Sequence, residues 1–267
     1  MNDGLSRVVV TSFNAAGFER YGARMVDSFR RYWPPEVEMV VVSEDDIPLE
    51  TDERVRFESY GELAPEGEHF KRKFGQFPLA NGKRFEVLDD ENMMMEYLFP
   101  FDAIRFSHKS FSIFGVSRKW DSDRLIWLDG DTVTFKPIDD RFFAETDPGD
   151  GHASYLGRNH MYSECGFICY NRRHTVHHAF MNQIAEEYFN GEIFLLPQWH
   201  DCWVFDIMRE HFARTEGAAY RNLSADVADS DHPFINCVLG EYMDHLKGEE
   251  RKEAGRSFDE DLVNNEA

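Results

Sequence analysis

One apolar run that ends in an acidic triplet constrains the fold more than any other feature of the sequence. Arg124–Leu128 is predicted to be a buried strand, and Asp129-Gly130-Asp131 follows it without a break. A strand without polar alternation is typical of the centre of a sheet that helices cover on both faces. Open α/β sheets bind their ligands beyond the carboxyl ends of such strands. The triplet is therefore predicted to lie at a ligand-binding edge and not in a solvated hairpin.

The N-terminal part of the chain predicts a parallel β-α-β arrangement. A β-branched run at residues 7–11 leads through a small polar loop into helical spacing over residues 18–32, which Pro34 and Pro35 end. The next run, residues 37–42, is nearly all apolar, as expected for a strand covered on both faces. The chain is therefore expected to begin an α/β fold.

Apolar spacing over the remaining sequence predicts further elements of the same kind. Strands are expected at residues 55–58, 153–156 and 166–170, and helices from residue 101 and over residues 175–189, 199–211 and 235–246. A Gly-rich and Lys-rich stretch, residues 60–90, is predicted to be an excursion over the surface. We expect a single catalytic domain over residues 1–250 and a charged, flexible tail over residues 251–267.

The charge balance restricts the partners. The chain contains 29 Lys and Arg against 50 Asp and Glu, a formal net charge of −21. Such a charge repels nucleic-acid backbones and anionic lipids at long range, so nucleic acid is not expected as a partner. The sequence shows no run of ~20 apolar residues and no basic-then-apolar leader. We therefore expect a cytoplasmic protein without a membrane span.

The triplet itself predicts a divalent cation. Two carboxylates that converge repel each other, and a hard cation with oxygen ligands removes that repulsion. Mg²⁺ and Mn²⁺ take one or two protein carboxylates while substrate phosphates fill further positions. Gly130 lets the chain turn closely around the ion. Asp129 and Asp131 are thus candidate metal ligands, with Mn²⁺ or Mg²⁺ as the cofactor.

The strand with its triplet, preceded by Arg105 and Lys109, resembles the GT-A fold glycosyltransferases, particularly the glycogenin and lipopolysaccharide galactosyltransferase group. The resemblance covers most of residues 7–250 and includes the Gly-containing segment 164–168 and a C-terminal His-X-Lys-Gly at residues 245–248. It implies an α/β, GT-A (Rossmann-like) fold with a mixed, mostly parallel sheet flanked by helices. It also implies retaining transfer of a sugar from a nucleotide-diphosphate donor, a UDP-sugar being favoured, to a glycan or other hydroxyl compound.

The resemblance further implies roles for individual residues. Both aspartates of the triplet would bind the metal, and the third ligand would be His245 or, as its rival, His232. The chain departs from the family here, since Gly248 follows Lys247 instead of a glycine preceding the lysine. His245 and Lys247 could instead complement the C-terminus of a helix that ends at Gly248.

Donor contacts and catalytic groups follow from the same comparison. The resemblance implies that the donor is bound by Thr11, Asn14, Arg105, Lys109, Asp129, Gln198 and Lys247. The carboxylate that stabilises the oxocarbenium-like transition state is predicted to be Asp201, with Glu164 as the second candidate. The alternatives are an Asp102–Arg105 surface pair with a solvated Lys109, and an ordinary helix start at Thr11 and Asn14.

Two other classes of function are compatible with the pattern. A nucleotidyltransferase acting on sugar phosphates would carry a Gly-rich, basic loop after its first strand, whereas residues 11–17 contain one glycine and no basic residue. An acidic binding module would use the triplet as a plain turn and would bind no nucleotide.

Overall fold

The computed structural model describes residues 4–87, 93–228 and 230–258. The strands of this part of the chain are β1 (Arg7–Ser12), β2 (Glu38–Ser43), β3 (Val55–Ser59), β4 (Lys83–Val87), β5 (Met93–Tyr97), β6 (Arg124–Leu128), β7 (Thr132–Thr134), β8 (Ala153–Leu156), β9 (Glu164–Asn171), β10 (Tyr220–Asn222) and β11 (Met243–His245). The α-helices are α1 (Ala15–Gly17), α2 (Ala23–Tyr32), α3 (Tyr60–Leu63), α4 (Pro65–Phe74), α5 (Ala103–Lys119), α6 (Asp140–Thr146), α7 (His177–Asn190), α8 (Asp201–Glu216) and α9 (Glu249–Ala254). A π-helical turn, Phe18–Gly22, joins α1 to α2, and 3₁₀ turns lie at Leu79–Asn81, Phe99–Phe101, Glu192–Leu195 and Val238–Glu241.

Seven strands form the central sheet in the order β10-β8-β9-β6-β1-β2-β3. Strands β6, β1, β2 and β3 pair in parallel, β9 is antiparallel to β6 and β8, and β10 is parallel to β8. The sheet is therefore mixed and mostly parallel, which confirms the predicted fold class. Because β1 and β6 are neighbours, their carboxyl ends open on the same edge of the sheet.

Helices cover both faces of the sheet and create two apolar cores. The alternation along β6 divides its side chains, so that Leu125 and Trp127 enter one core and Ile126 and Leu128 the other. All four are at most 2% exposed, which explains why this strand lacks the polar alternation of a half-exposed strand.

Helix α5 matters most for the site because it crosses one face of the sheet beside β1 and β6. The Asp102 side chain caps its N-terminus by accepting a hydrogen bond from the Arg105 backbone N–H at 3.2 Å. Phe111 and Val116 are fully buried on its inner face. Close packing requires Gly115, where an added Cβ would lie 2.7 Å from Leu63 Cγ.

The helix predicted over residues 235–246 is wrong. The segment contains the 3₁₀ turn Val238–Glu241 and then β11, which pairs antiparallel with β7. Its apolar residues have helical spacing, but the tertiary hydrogen bonds to β7 override that local preference. The 3₁₀ turn closes tightly, since a Cβ on Gly240 would lie 1.9 Å from the Ile235 carbonyl oxygen.

The prediction of a surface excursion over residues 60–90 is wrong for its first half. Residues 60–74 form α3 and α4, and Tyr60 and Phe70 are fully buried. Lysines and glycines mask the single apolar stripe of α4 in the sequence. None of the described helices combines the length and the apolar composition that a membrane span requires.

Candidate active site

The acidic triplet lies at the carboxyl end of β6, as predicted from the apolar run. The Asp129 N–H donates to the Gly166 carbonyl on β9, and the Thr132 N–H donates back to the Asp129 carbonyl at 3.0 Å, which closes the turn. Glycine is required at position 130, because a Cβ there would lie 2.7 Å from a ring carbon of Phe13. The loop after β1 therefore packs directly against the triplet.

Asp129, Asp131 and His245 converge at this edge. In the β7–β11 pair, His245 lies opposite Thr132, so the imidazole reaches back to the triplet. Its Nε2 is 3.1 Å from Asp131 Oδ1 and 3.6 Å from Asp129 Oδ2. The ring of His232 packs 5.6 Å from that of His245 instead of joining the cluster. The β7–β11 pairing thus brings His245 to Asp131, although the two residues are more than a hundred positions apart in sequence.

Electrostatics tie the Asp131 carboxylate firmly to its cations. Burial alone would raise the pKa of Asp131, but His245 and Lys252 outweigh burial and lower it. Burial would lower the pKa of His245, whereas Asp131 and Glu164 raise it above its usual value. The two groups therefore stabilise each other's charged forms.

Lys109 joins two carboxylates beneath the triplet. Its Nζ lies 2.9 Å from Asp129 Oδ1 and 2.8 Å from Asp201 Oδ2, and it donates to the Cys165 carbonyl. The indole Nε1 of Trp127 donates to the same Asp129 oxygen at 2.7 Å. Burial would lower the pKa of Lys109, but the two aspartates raise it well above its usual range. The lysine is thus a buried, charged bridge between β6 and α8.

A second charged cluster surrounds Glu164 at the start of β9. Its Oε2 accepts from Arg158 Nη2 at 2.9 Å and from Lys247 Nζ, and its Oε1 accepts from the Gly166 N–H at 3.2 Å. Burial would raise the pKa of Glu164, but Lys247 and the nearby histidines lower it below its usual range. Glu164 is therefore ionised although it is buried.

These groups line one cleft of ≈ 980 Å³. That volume falls in the range of ligand pockets, roughly 300–1,000 Å³. Its walls include polar and charged side chains from the ends of β1, β6 and β9, from α5 and α8 and from the C-terminal segment: Asn14, Arg105, Lys109, Asp129, Asp131, Arg158, Glu164, Asp201, His245, Lys247 and Lys252.

The other predicted donor contacts differ in where they lie. Asn14 lines the cleft while its side chain accepts from the Gly17 N–H at 2.8 Å, so it is also an N-cap. Arg105 lines the cleft with Nη1 3.3 Å from the Tyr97 hydroxyl. Two predicted donor contacts, Thr11 and Gln198, do not belong to the described residues that line the cleft. Thr11 is fully buried, and Gln198 Oε1 is 2.8 Å from His200 Nε2.

Sequence reasoning missed two cationic side chains that pair with the predicted carboxylates. Lys252, on α9, places Nζ 2.8 Å from Asp131 Oδ2, and Arg158 follows β8 to reach Glu164. The helix α9 lies at the start of the predicted tail, whose residues 259–267 are outside the described residues. Arg158 had a local signal, because a basic residue after a predicted strand end faces the ligand edge. Lys252 had none, since its position depends on contacts across the whole fold.

The triplet and His245 fit a divalent cation. Ligand atoms of Asp129, Asp131 and His245 cluster together, and the distances of 3.1 Å and 3.6 Å from His245 Nε2 to the two carboxylates are compatible with one ion at ligand distances of about 2.0–2.2 Å. Two carboxylates and an imidazole form a mixed O/N donor set of the kind that binds divalent cations. The structure therefore contains a candidate acidic metal site at the predicted edge.

A mixed, mostly parallel α/β sheet with Asp-X-Asp at the end of a central strand, beside a cleft, is the arrangement that the GT-A resemblance implies. No protein-family profile and no curated protein sequence matches the chain.

Several solved structures with a similar fold are described as glycosyltransferases. The bifunctional glycosyltransferase WbbM matches 93% of this chain and 47% of its own, with a TM-score of 0.51 at 12% identity. A glycosyltransferase involved in glycosylation of the major capsid of PBCV-1 matches 93% of this chain and 98% of its own, with a TM-score of 0.48 at 12% identity. GlyE of Streptococcus pneumoniae TIGR4 matches 81% of this chain and 45% of its own, with a TM-score of 0.45 at 13% identity. This chain thus spans about half the length of WbbM and of GlyE. The match to WbbM confirms the predicted resemblance at the level of the fold.

Proposed function

We propose that the protein is a metal-dependent glycosyltransferase that uses a nucleotide-diphosphate sugar, with a UDP-sugar favoured, and transfers the sugar to a hydroxyl acceptor with retention of configuration. The observation that carries this proposal is the convergence of Asp129, Asp131 and His245 in the wall of a ≈ 980 Å³ cleft that also carries basic side chains. Anionic phosphates next to a cation and basic side chains are the ligands that such a site favours.

In this proposal Asp129, Asp131 and His245 hold Mn²⁺ or Mg²⁺. When bound there, the ion supplies Lewis acidity that neutralises negative charge on the departing nucleotide diphosphate. Arg105 and Lys247 line the same cleft and are candidates to bind the diphosphate oxygens.

The arrangement of the carboxylates supports Asp201 as the catalytic group, with Glu164 second. Asp201 faces the cleft from the first turn of α8, and its single ion pair within the described structure is the one with Lys109. Glu164 is already paired with Arg158 and Lys247. A carboxylate with less compensated charge better stabilises positive charge at the anomeric carbon. Lys109, buried between Asp129 and Asp201, would position both.

A ligand screen tests the proposal. The melting temperature of the wild-type chain is measured with UDP-, GDP-, ADP- and CMP-linked sugars, with and without Mn²⁺. Ligands that bind only the native state stabilise it by about 2.7 kcal/mol at a hundred times their Kd. We expect one nucleotide class to raise the melting temperature, and only when Mn²⁺ is present.

Two double variants provide the control. Asp129→Asn with Asp131→Asn should abolish the Mn²⁺-dependent rise, while Asp150→Asn with Asp226→Asn removes the same charge from exposed positions and should leave it intact. An equal rise in both variants, or no rise with any nucleotide in the wild type, would contradict the proposal.

A further inference from the structure

The hairpin of β4 and β5 stands apart from the central sheet. The two strands pair only with each other within the described structure. Antiparallel register places Phe85 opposite Met95 and Lys83 opposite Tyr97, so these four side chains share one face with Met93. The opposite face carries Arg84, Glu86, Met94 and Glu96, of which Arg84 pairs with both glutamates. The hairpin is therefore amphipathic, although nothing in the described structure covers its apolar face.

The apolar face is exposed to an unusual degree. Phe85 is 47%, Met93 64%, Met95 52% and Tyr97 46% exposed. Single exposed apolar residues are ordinary, but a contiguous group on one face marks a binding surface. A solvated strand carries charged or polar groups on its outer face, whereas Phe85, Met93 and Met95 are apolar.

This face continues into the candidate active site. Lys83, Tyr97 and the adjoining Phe99 line the same cleft as the acidic triplet. The Tyr97 hydroxyl donates to Asp102 Oδ2 at 2.8 Å, which fixes the base of the hairpin to the N-terminus of α5. A ligand in the cleft could therefore extend without interruption onto the hairpin.

We propose that the apolar face of the hairpin binds the hydrocarbon chain of an amphiphilic acceptor whose hydroxyl-bearing end enters the cleft. This inference rests on the proposed glycosyl transfer and names the class of acceptor. Lys83, at the boundary between cleft and hairpin, would face the polar linkage between the two parts of the acceptor.

The dimensions of the face favour a hydrocarbon chain over a protein. A five-residue strand extends about 17 Å, the length of an extended chain of about a dozen carbons. A stable protein interface buries about 800 Å² on each partner, far more than four side chains on a two-stranded ribbon present. Methionine side chains are flexible and polarisable, and they adapt to chains without a fixed shape.

Methyl NMR of the full chain tests the inference without any knowledge of the sugar. The chain is labelled with ¹³C at methionine methyl groups and titrated with n-decyl β-maltoside below its micellar concentration. We expect saturable shifts at Met93 and Met95, and none at Met94 on the opposite face or at buried Met25. Each added methylene from octyl to decyl should tighten binding by about two- to fourfold.

Matched variants separate the face from general detergent binding. Phe85→Thr should weaken decyl maltoside binding at least fivefold, whereas Met94→Thr should not change it. Equal shifts at Met94, no dependence on chain length, or no binding would overturn the inference, and the last result would leave the face to a protein partner.

Failure of hydrocarbon binding at the hairpin and failure of the proposed glycosyl transfer give different experimental results. Donor binding is measured separately by the Mn²⁺-dependent melting temperature, and Phe85→Thr should leave it unchanged. If decyl maltoside binds the face but no nucleotide sugar stabilises the wild-type chain, the hydrocarbon site stands and the acceptor role is overturned.

Discussion

Replacing Lys109 by methionine should be the most destabilising single change at the site. The lysine side chain is 12% exposed and bridges Asp129 and Asp201, the latter only 7% exposed. Methionine keeps the length and apolar stem but leaves the Asp201 carboxylate buried without its cation. Breaking a buried pair by removing one partner costs about 3–5 kcal/mol. For a chain of this size that loss corresponds to a fall in melting temperature of about 6–20 °C.

Urea unfolding of Lys109→Met measures this free energy, and Lys119→Met is its matched control. Lys119 pairs with Glu58 at 2.7 Å but is 56% exposed, so its loss should cost about 1 kcal/mol or less. Equal stability of the two variants would show that Lys109 is not a buried charged bridge.

Three further predictions concern pH and the metal site. His152 and His177 are fully buried, and burial lowers their pKa values to about 2 and about 3. Below about pH 6.5 the unfolded chain takes up two protons that the folded chain does not, so the free energy of unfolding should fall on acidification. Replacing both histidines by asparagine should flatten the dependence of that free energy on pH between pH 6 and pH 4.5 by up to about 2.7 kcal/mol per pH unit. An unchanged slope in urea titrations would count against this. Lys252→Met removes a cation from Asp131 and should tighten Mn²⁺ binding about fivefold in calorimetric titrations; weaker binding would mean that the lysine supports the site. Gly166→Ala places a Cβ 2.9 Å from the imidazole carbon of the candidate metal ligand and should weaken Mn²⁺ binding by about tenfold or more, so an unchanged affinity would argue against that ligand.

The parts of the fold that the sequence predicted well are those that local pattern determines. The apolar run of β6 has no polar alternation because both faces of the strand are buried, and that property is visible in five residues. The same holds for β2, whose run from Met39 to Val42 is fully buried. The acidic triplet was predicted at the correct edge because its position follows directly from the strand.

What the sequence did not predict depends on contacts between distant segments. The C-terminal segment has helical spacing, and only its pairing with β7 makes Met243–His245 a strand. That pairing also brings His245 to the triplet. Lys109 was predicted as a donor contact, but the structure shows it paired with Asp129 and Asp201, and Asp201 reaches it from a helix 92 positions further along the chain.

The ligands of bound Mn²⁺ show most directly whether the acidic triplet and His245 form a metal site. Pulsed electron paramagnetic resonance of the chain with Mn²⁺ and UDP reports whether an imidazole nitrogen binds the ion. We expect one bound Mn²⁺ with a directly coordinated nitrogen, a signal that is lost in His245→Gln and kept in His232→Gln. A nitrogen signal that survives in His245→Gln, or the absence of any bound Mn²⁺, would contradict a site built from Asp129, Asp131 and His245.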